Sequence, residues 1–243
     1  MAEEEIAKHT KAIYKSLKNK EETWAHRLKE IAIEVLIIVF AVSISIWFHN
    51  WSDSLHEKKD EKAFLIGLKK DLNGDLVNLH TSLQFYKFVL GGTAYFLKVG
   101  SGQPVNKDSV NQYANIFFSS TDLEPHSSRY EALKGSNKFT IIENPDLLND
   151  IISLHESSFT RVITLDHYYH DDISTKMVPF ISSHVQVAPN GSISNTQELA
   201  KNPQMRILLM TMQGYITGNL IAAHNNAITT CNTIIKEIDK ELE

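Results

Sequence analysis

The strongest pattern along the chain is an apolar run of eighteen residues, 31–48, which reads IAIEVLIIVFAVSISIWF. Twelve of these residues are Leu, Ile, Val or Phe, and together they contribute about -4 to -7 kcal/mol to membrane insertion. A buried core helix is an alternative, but such a helix is seldom apolar on every side. A cleaved signal peptide is another, but residues 46–51 are too bulky for a cleavage site. The run therefore predicts an uncleaved transmembrane helix over residues 30–51.

Aromatic and basic residues flank the run as they do at membrane interfaces. Trp24 precedes the run, and Trp47 and Trp51 lie at its other end, so we expect two aromatic belts. Arg27 and Lys29 are the basic residues closest to its N-terminal end. These five residues are the predicted interface anchors.

The distribution of lysine and arginine favours a cytoplasmic N-terminus. Residues 1–30 carry seven basic residues, whereas residues 52–71 carry five. We therefore expect residues 1–29 to form a helical cytoplasmic segment. The C-terminal domain would lie outside the inner membrane, in the periplasm of a Gram-negative cell. The Lys-rich stretch 58–62 opposes this orientation, so the reversed topology stays open.

Polar residues inside the run are candidates for function. Glu34 is its only ionisable residue, and an intramembrane carboxylate is by default a candidate site. It could pair with a partner helix or with Arg27 or Lys29; the alternative is a tolerated acid that reaches the interface. Ser43 and Ser45 are candidates for interhelical hydrogen bonds.

A second pattern begins after the run, near Ser52 or Asp53. Apolar residues recur there at spacings of three and four, which is typical of one helical face. They are Leu65, Leu68, Leu72, Leu76, Leu79, Leu83, Tyr86 and Leu90. This helix could continue the membrane helix as a stalk. The stripe fits a dimeric coiled coil or one face of an intramolecular bundle, and the helical segments that follow favour the bundle. Gly91-Gly92 is a candidate break or bend.

Helix-capping residues in the second half of the chain predict where helices begin and end. Asn144-Pro145 and Asn202-Pro203 predict helix starts, because Asn caps a helix and Pro suits its first position. The helix from Pro145 is expected to run to Thr175 or His184, and the last helix to the C-terminus. Other expected elements are a short helix over 108–118, a capping box from Ser128 to Glu131 with a helix stop at Gly135, and a weak hairpin over 187–196.

These patterns predict an all-α fold: one N-terminal transmembrane helix that continues into a stalk, followed by an antiparallel helical bundle. The predicted domains are the cytoplasmic segment 1–29, the transmembrane helix 30–51 and the bundle domain 52–243. About 190 residues suffice to bury a core of their own.

Composition changes this picture little. A mean hydropathy of -0.21 describes no real part of the 243-residue chain, because it averages the apolar run with polar flanks. The net charge of -5 gives no reason to expect nucleic-acid binding. The single cysteine, Cys231, excludes an intramolecular disulfide, and its place on an apolar helical stripe predicts a buried structural thiol.

The best candidate metal ligands are His167, His170 and Asp171, with His155 about three turns earlier. His167 and His170 are three residues apart, so one helical face could present both imidazoles. A zinc site needs three or four converging ligands, and this spacing lacks the general base of HExxH. The alternative, which we favour, is a polar helix surface. The sequence contains no Walker, GxGxxG or GxSxG motif, and we predict no cofactor, no bound metal and no enzymatic activity.

The order of several short motifs resembles a family of bacterial single-span membrane proteins of unknown function. The matching residues are Glu34, Asn50-Trp51, Leu68-Lys69-Lys70-Asp71-Leu72, Tyr130-Glu131-Ala132-Leu133-Lys134, Ile141-Ile142-Glu143-Asn144 and Leu147-Leu148. The resemblance covers about residues 29–170. This chain departs from the family in its longer, more acidic N-terminal lead and in His49. The resemblance implies a membrane-anchored helical domain and no catalytic residues.

The leading functional hypothesis is therefore a single-span membrane protein that acts by interaction, as a sensor, scaffold or accessory subunit. Its expected partners are the lipid bilayer and either a second copy or another membrane protein, bound through the span or stalk. The second hypothesis is a membrane effector whose cytosolic domain drives assembly of the span into a pore. The third is a metal-dependent hydrolase that uses His167, His170 and Asp171.

Overall fold

The computed structural model describes residues 24–191 and 193–243, and only the backbone of residues 24–28, 30 and 34. Across these residues the fold is all-α, as predicted, and Val187 and Ile193 form an isolated β-bridge rather than a hairpin of two strands. The predictions for residues 1–23 lie outside the described part of the chain. Contacts divide the chain into two compact units, Met1–Lys58 and Lys59–Glu243.

One long helix, α1, runs from Trp24 to Gly100. Its N-terminal part contains a stretch that is long and apolar enough to cross a membrane, by length and composition, and no side chain described there is buried. Its part in the second unit carries the predicted apolar stripe. Leu65, Leu68, Leu72, Leu79, Leu83 and Tyr86 are all buried within the unit, and Leu76 and Leu90 are partly buried. This burial supports the intramolecular alternative for the stripe.

Gly91 and Gly92 do not end α1, because the helix continues without a break to Gly100. Their role is close packing. A Cβ on Gly92 would lie 2.6 Å from Ile116 Cδ1, and one on Gly91 would lie 3.3 Å from Tyr113 Oη. The glycine pair therefore lets the segment from Tyr113 to Ile116 approach α1.

Shorter elements follow α1 in the unit Lys59–Glu243. The helices are α2 Lys107–Tyr113, α3 Ser128–Gly135, α4 Pro145–Ser153, α5 Thr160–Asp172, α6 Val178–His184, α7 Thr196–Lys201, α8 Pro203–Tyr215 and α9 Ile221–Leu242. Single 3-10 turns lie at Ala114–Phe117 and Phe139–Ile141. Segments of π-helix lie at Leu154–Phe159, Ile173–Met177 and Ile216–Leu220. Helix α9 packs against α4 and α5, and its buried residues join the same apolar core as those of α1.

Two of the predicted helix starts are confirmed and one is wrong. The side chain of Asn144 accepts hydrogen bonds from the backbone of α4, and that of Asn202 does the same for α8. The predicted capping box fails, because Ser128 lies inside α3 and the capping position is Ser127, whose side chain makes no capping hydrogen bond. Helix α3 does end at Gly135, as predicted.

The helix predicted from Pro145 continues through α4, α5 and α6 to His184, but π-helical segments interrupt it. The segment Ile173–Met177 ends two residues before Pro179, which has no N–H to donate to the preceding turn. The helix nevertheless continues to His184. The periodicity of the sequence predicts the helix but not these segments.

Candidate functional site

A cavity of about 220 Å³ lies between α5, the π segment Ile173–Met177 and α8. Both sides supply apolar and aromatic side chains at helical spacing. One side contributes Tyr169, Ile173 and Met177, which are four residues apart. The other contributes Leu208, Met212 and Tyr215, and the remaining lining residues are Asp172, Lys176, Ile207 and Thr211. An apolar cavity with a few polar groups at its edge is a candidate binding site.

The charged residues of the cavity neutralise each other. Lys176 Nζ lies 2.5 Å from Asp172 Oδ1, one helical turn away, and both side chains are exposed. Tyr215 donates its hydroxyl hydrogen bond to the carbonyl oxygen of Leu165 at 3.1 Å. The cavity therefore presents no net charge, and one of its two phenols is already engaged.

The other phenol, Tyr169, is 2% exposed, and its hydroxyl has no hydrogen-bond partner among the described residues. Burial raises the pKa of Tyr169, so this hydroxyl is neutral and keeps its proton. A buried polar group without a partner costs about 1–3 kcal/mol. The Tyr169 hydroxyl is therefore one of the few buried polar groups that are left unpaired within the described residues.

A fully buried polar cluster lies beside Tyr169. Tyr86 of α1 donates a hydrogen bond of 2.6 Å to Asp166 Oδ1, and the backbone N–H of Leu123 donates one of 3.2 Å to Asp166 Oδ2. The ring of Tyr86 meets those of Tyr169 and His224 edge-on, with centroids 5.4 and 5.3 Å apart. The cluster thus joins α1, α5 and α9 through side chains.

Burial raises the pKa of Asp166 to about 7, and the two hydrogen bonds oppose this rise only in part. Burial lowers the pKa of His224. The Nδ1 atom of His224 lies 2.9 Å from the carbonyl oxygen of Leu220, so Nδ1 carries the proton and Nε2 does not. His224 Nε2 is 3.7 Å from Asp166 Oδ1, which is too far for a hydrogen bond. The cluster can hold a proton near neutral pH, but it is sealed from solvent.

A second buried carboxylate, Asp75, faces His126. Asp75 Oδ1 lies 2.8 Å from the backbone nitrogen of His126 and 2.7 Å from its Nδ1, whereas Oδ2 has no partner in the part of the chain that the structure describes. Burial raises the pKa of Asp75. Burial, followed by the charge of Asp75, raises the pKa of Cys231 to about 12, so the folded protein holds Cys231 as an unreactive thiol. This agrees with the structural role predicted for Cys231.

A third polar group surrounds His155. Its ring stacks on Tyr130 with centroids 4.2 Å apart, and neither ring nitrogen has a hydrogen-bond partner within residues 24–191 and 193–243. Burial lowers the pKa of His155 to about 4. Tyr130 and Lys134 both donate to Glu156 Oε1, at 2.7 and 2.6 Å. The neutral imidazole is therefore a packing group here.

The predicted metal ligands His167, His170 and Asp171 lie on the exposed surface of α5. His170 Nδ1 lies 2.8 Å from Ser120 Oγ. Within residues 24–191 and 193–243, no three side chains of His, Cys, Asp or Glu are grouped so that they could hold a metal ion. His155 is buried elsewhere in the unit. The structure therefore brings no third ligand to this pair of histidines.

The predicted span residues are partly described. Ser45 donates to the carbonyl oxygen of Ala41 in its own helix at 2.9 Å, and Ser43 is exposed. Trp47 stacks on Trp51, with ring planes 4° apart, and Lys29 is exposed. The side chains of Trp24, Arg27 and Glu34 lie outside the described residues.

Neither the cavity nor the cluster beside it follows from the sequence. The stripe places Tyr86 in the core, and Asp166 and His224 give no signal of their own, because each is a lone polar residue on an apolar helical face. The usable signal is a tyrosine on that face together with a carboxylate on another helix. A sequence alone does not show that two such helices meet.

Comparisons with protein-family models, curated proteins and solved structures give no match, so the resemblance to a single-span membrane protein family stays a prediction.

Proposed function

We propose that this chain is a single-span membrane protein whose helical unit acts by binding, as a sensor, scaffold or accessory subunit. The observation that carries the proposal is the surface of α1 before the unit Lys59–Glu243. Every described apolar side chain in residues 31–48 is exposed; Leu36, for example, is 67% exposed. Water would make this surface costly, at about 25 cal/mol per Å² of apolar area, whereas a bilayer would solvate it.

The aromatic residues at the end of the run support the same proposal. Trp47, Phe48 and Trp51 contact one another, with centroids 5.1 to 6.4 Å apart, and all three are exposed. Such a group suits the interface between hydrocarbon and water, where indole rings are enriched. In this arrangement Glu34 is an intramembrane carboxylate, and the span is available to a second copy or to another membrane protein.

Helix α1 also supports a role in transmission. The helix is continuous from Trp24 to Gly100, and its later part supplies a face of the unit's core. A ligand or partner that changes the packing of this core would therefore act on the helix that carries the span. We propose an antiparallel bundle for the unit, with α1 as one of its members.

Membrane integration is tested by placing two charges in the run. Two aspartates at a bilayer centre cost about 5–7 kcal/mol, which offsets the insertion energy of the apolar residues. The double variant Ile38→Asp, Val39→Asp should therefore leave the membrane fraction on carbonate extraction. The control Leu55→Asp, also on an exposed part of α1, should stay in the membrane. An extractable wild-type chain would refute the anchor.

Orientation is tested with C-terminal fusions. We propose a cytoplasmic N-terminus and a periplasmic helical unit, so a phosphatase fusion should be active and a fluorescent-protein fusion dark. The exposed cluster Lys58, Lys59 and Lys62 favours the second candidate, a cytosolic helical unit that drives assembly of the span into a pore. A fluorescent protein fusion together with an inactive phosphatase fusion would establish the cytosolic helical unit and refute the periplasmic one.

A further inference from the structure

We infer that a polar cavity between α5 and α9 binds a small oxyanion of one negative charge, a carboxylate or a phosphodiester. The inference rests on the proposed function as a binding protein, and it adds a site and a class of ligand. It combines the charge of the lining, the unengaged polar side chains around it and the space that glycine and alanine leave between them.

The cavity measures about 180 Å³, and two π-helical segments supply part of its lining. Ser158 belongs to the segment Leu154–Phe159, and Gly218 and Asn219 belong to the segment Ile216–Leu220. Helix α9 packs against the first segment, and α5 packs against the second. The remaining lining residues are Arg161, Ala222, Ala223 and Asn226. Interruptions of this kind occur frequently at functional sites, and here two of them border one cavity.

Arg161 sets the charge of the ligand. Among the described residues that line the cavity it alone is charged, and it forms no ion pair within residues 24–191 and 193–243. By contrast, Arg129 pairs with Asp71. A guanidinium is always protonated, and its planar fork matches two oxygens of a carboxylate or a phosphate group. One unpaired arginine balances one negative charge, so the cavity suits a monoanion.

Three neutral side chains supply further hydrogen bonds. Those of Ser158, Asn219 and Asn226 line the cavity, and none of them bonds to another described residue. Elsewhere on α9, Thr229 and Asn232 donate to the carbonyl oxygen four residues earlier. A hydroxyl and two amide groups can donate to oxyanion oxygens, and such charge-assisted bonds are the strong ones. The lining therefore presents donors around the positive charge.

Small residues leave the space for the ligand. A Cβ on Gly218 would meet no other atom within 4 Å, and Ala222 adds only a methyl group. A cavity of about 150 Å³ holds benzene, so this one holds a molecule of similar size. Arg161, Gly218, Ala222 and Asn226 are all exposed, so the cavity opens to water and a charged ligand can reach it.

Acetate and dimethyl phosphate are the probes, because both are small oxyanions with a single negative charge near neutral pH. The full-length, isotope-labelled chain is held in micelles of an uncharged detergent, and sodium chloride at equal ionic strength controls for screening. At least one probe, but not chloride, should shift the NMR signals of Arg161 Nε–H and of the Asn219 and Asn226 side-chain amides. Arg206 and Asn225, which do not line the cavity, should not respond. A response to one probe alone identifies the group as a carboxylate or as a phosphodiester.

A first set of variants tests the charge. Arg161→Gln should weaken the binding of the effective probe about 10- to 100-fold, the value of a charge-assisted hydrogen bond. The titration is followed on Asn219 and Asn226, whose signals remain in the variant. Arg161→Lys keeps the charge without the fork and should lose less affinity. The control Lys236→Gln removes the same charge from an exposed position of α9 and should leave affinity unchanged.

A matched pair of glycines tests the space. An added Cβ meets no atom within 4 Å at Gly218 or at Gly214, so neither substitution should unfold the chain. Gly218→Met places a long side chain in the cavity and should abolish the response of Arg161. Gly214→Met, outside the lining, should preserve it.

Signals of the lining that respond to neither probe beyond their response to chloride would overturn the inference. Unchanged affinity in Arg161→Gln, or an unchanged response in Gly218→Met, would also overturn it. Carbonate extraction and the fusions report on the membrane proposal independently. A membrane-integrated chain whose lining ignores both probes would therefore refute the oxyanion while leaving the anchor standing.

Discussion

The variant Asp166→Asn tests the buried cluster, because it removes an ionisable group and keeps its shape. Asp166 is fully buried, and its two oxygens receive hydrogen bonds from Tyr86 and from the backbone of Leu123. An asparagine fits the same volume. Its carbonyl oxygen can accept from Leu123, and its amide can donate to the phenol oxygen of Tyr86.

The pKa of Asp166 rises from 3.8 in the unfolded chain to about 7 in the folded one. The folded state therefore binds the proton more tightly, and the stabilising contribution is complete below pH 4. It is lost as the pH rises from about 4 to 7. A difference of about three pH units corresponds to about 4 kcal/mol, at 1.36 kcal/mol per unit. The free energy of unfolding of the wild type, relative to Asp166→Asn, should fall by about this amount over that window.

The difference between the two proteins is the informative quantity, because buried histidines act in the opposite sense. The pKa of His155 falls from 6.5 to about 4, and that of His224 is also lowered. Their contributions are present above pH 6.5 and are lost as the pH falls. The contribution of His155 acts in both proteins and largely cancels in the comparison. His224 Nε2 lies 3.7 Å from Asp166 Oδ1, so any change in the pKa of His224 is part of the measured difference. The wild type alone can then show a flat profile between pH 4 and 7.

The assay is urea unfolding of the full chain in detergent micelles at pH 4, 5, 6, 7 and 8. Far-ultraviolet circular dichroism is the readout, because the unit Lys59–Glu243 is helical and loses this signal when it unfolds. The tryptophans are unsuitable because all three lie at or before residue 51. Asp171→Asn, an exposed carboxylate on the same helix, is the control. A wild-type–variant difference that stays within about 1 kcal/mol from pH 4 to 8 would refute the raised pKa.

The remaining predictions concern backbone packing and capping. A Cβ on Gly100 would lie 2.2 Å from the backbone oxygen of Ala200, so Gly100→Ala should lower the free energy of unfolding by about 1–3 kcal/mol. Gly214 lies in α8 with open space around it, so Gly214→Ala should raise the free energy of unfolding by about 0.5–1 kcal/mol. Equal effects of Gly100→Ala and Gly214→Ala would contradict the close contact at Gly100. Asn144→Ala should lower the free energy of unfolding by about 1 kcal/mol, whereas Ser128→Ala should lower it by less than about 0.5 kcal/mol. Both values are measured from urea unfolding midpoints. A larger loss for Ser128→Ala would show that Ser128 caps the helix after all.

The sequence predicts features that repeat along one helix or that depend only on neighbouring residues. The stripe from Leu65 to Leu90 predicts a core-facing helix because 3.6-residue periodicity reports burial directly. Asn144 and Asn202 predict helix starts because their capping depends only on neighbouring residues. The Ser128 prediction failed for the same local reason: Ser127 also suits the capping position, and the short motif does not decide between them.

The cavity and the buried cluster could not be predicted, because both depend on residues that are distant in the chain. Asp166 meets Tyr86 across eighty positions. Nothing in the local sequence distinguishes this aspartate from the exposed Asp171 and Asp172 nearby. The π segments could not be predicted either, because apolar spacings of three and four residues do not distinguish a single π turn from an α-helical turn.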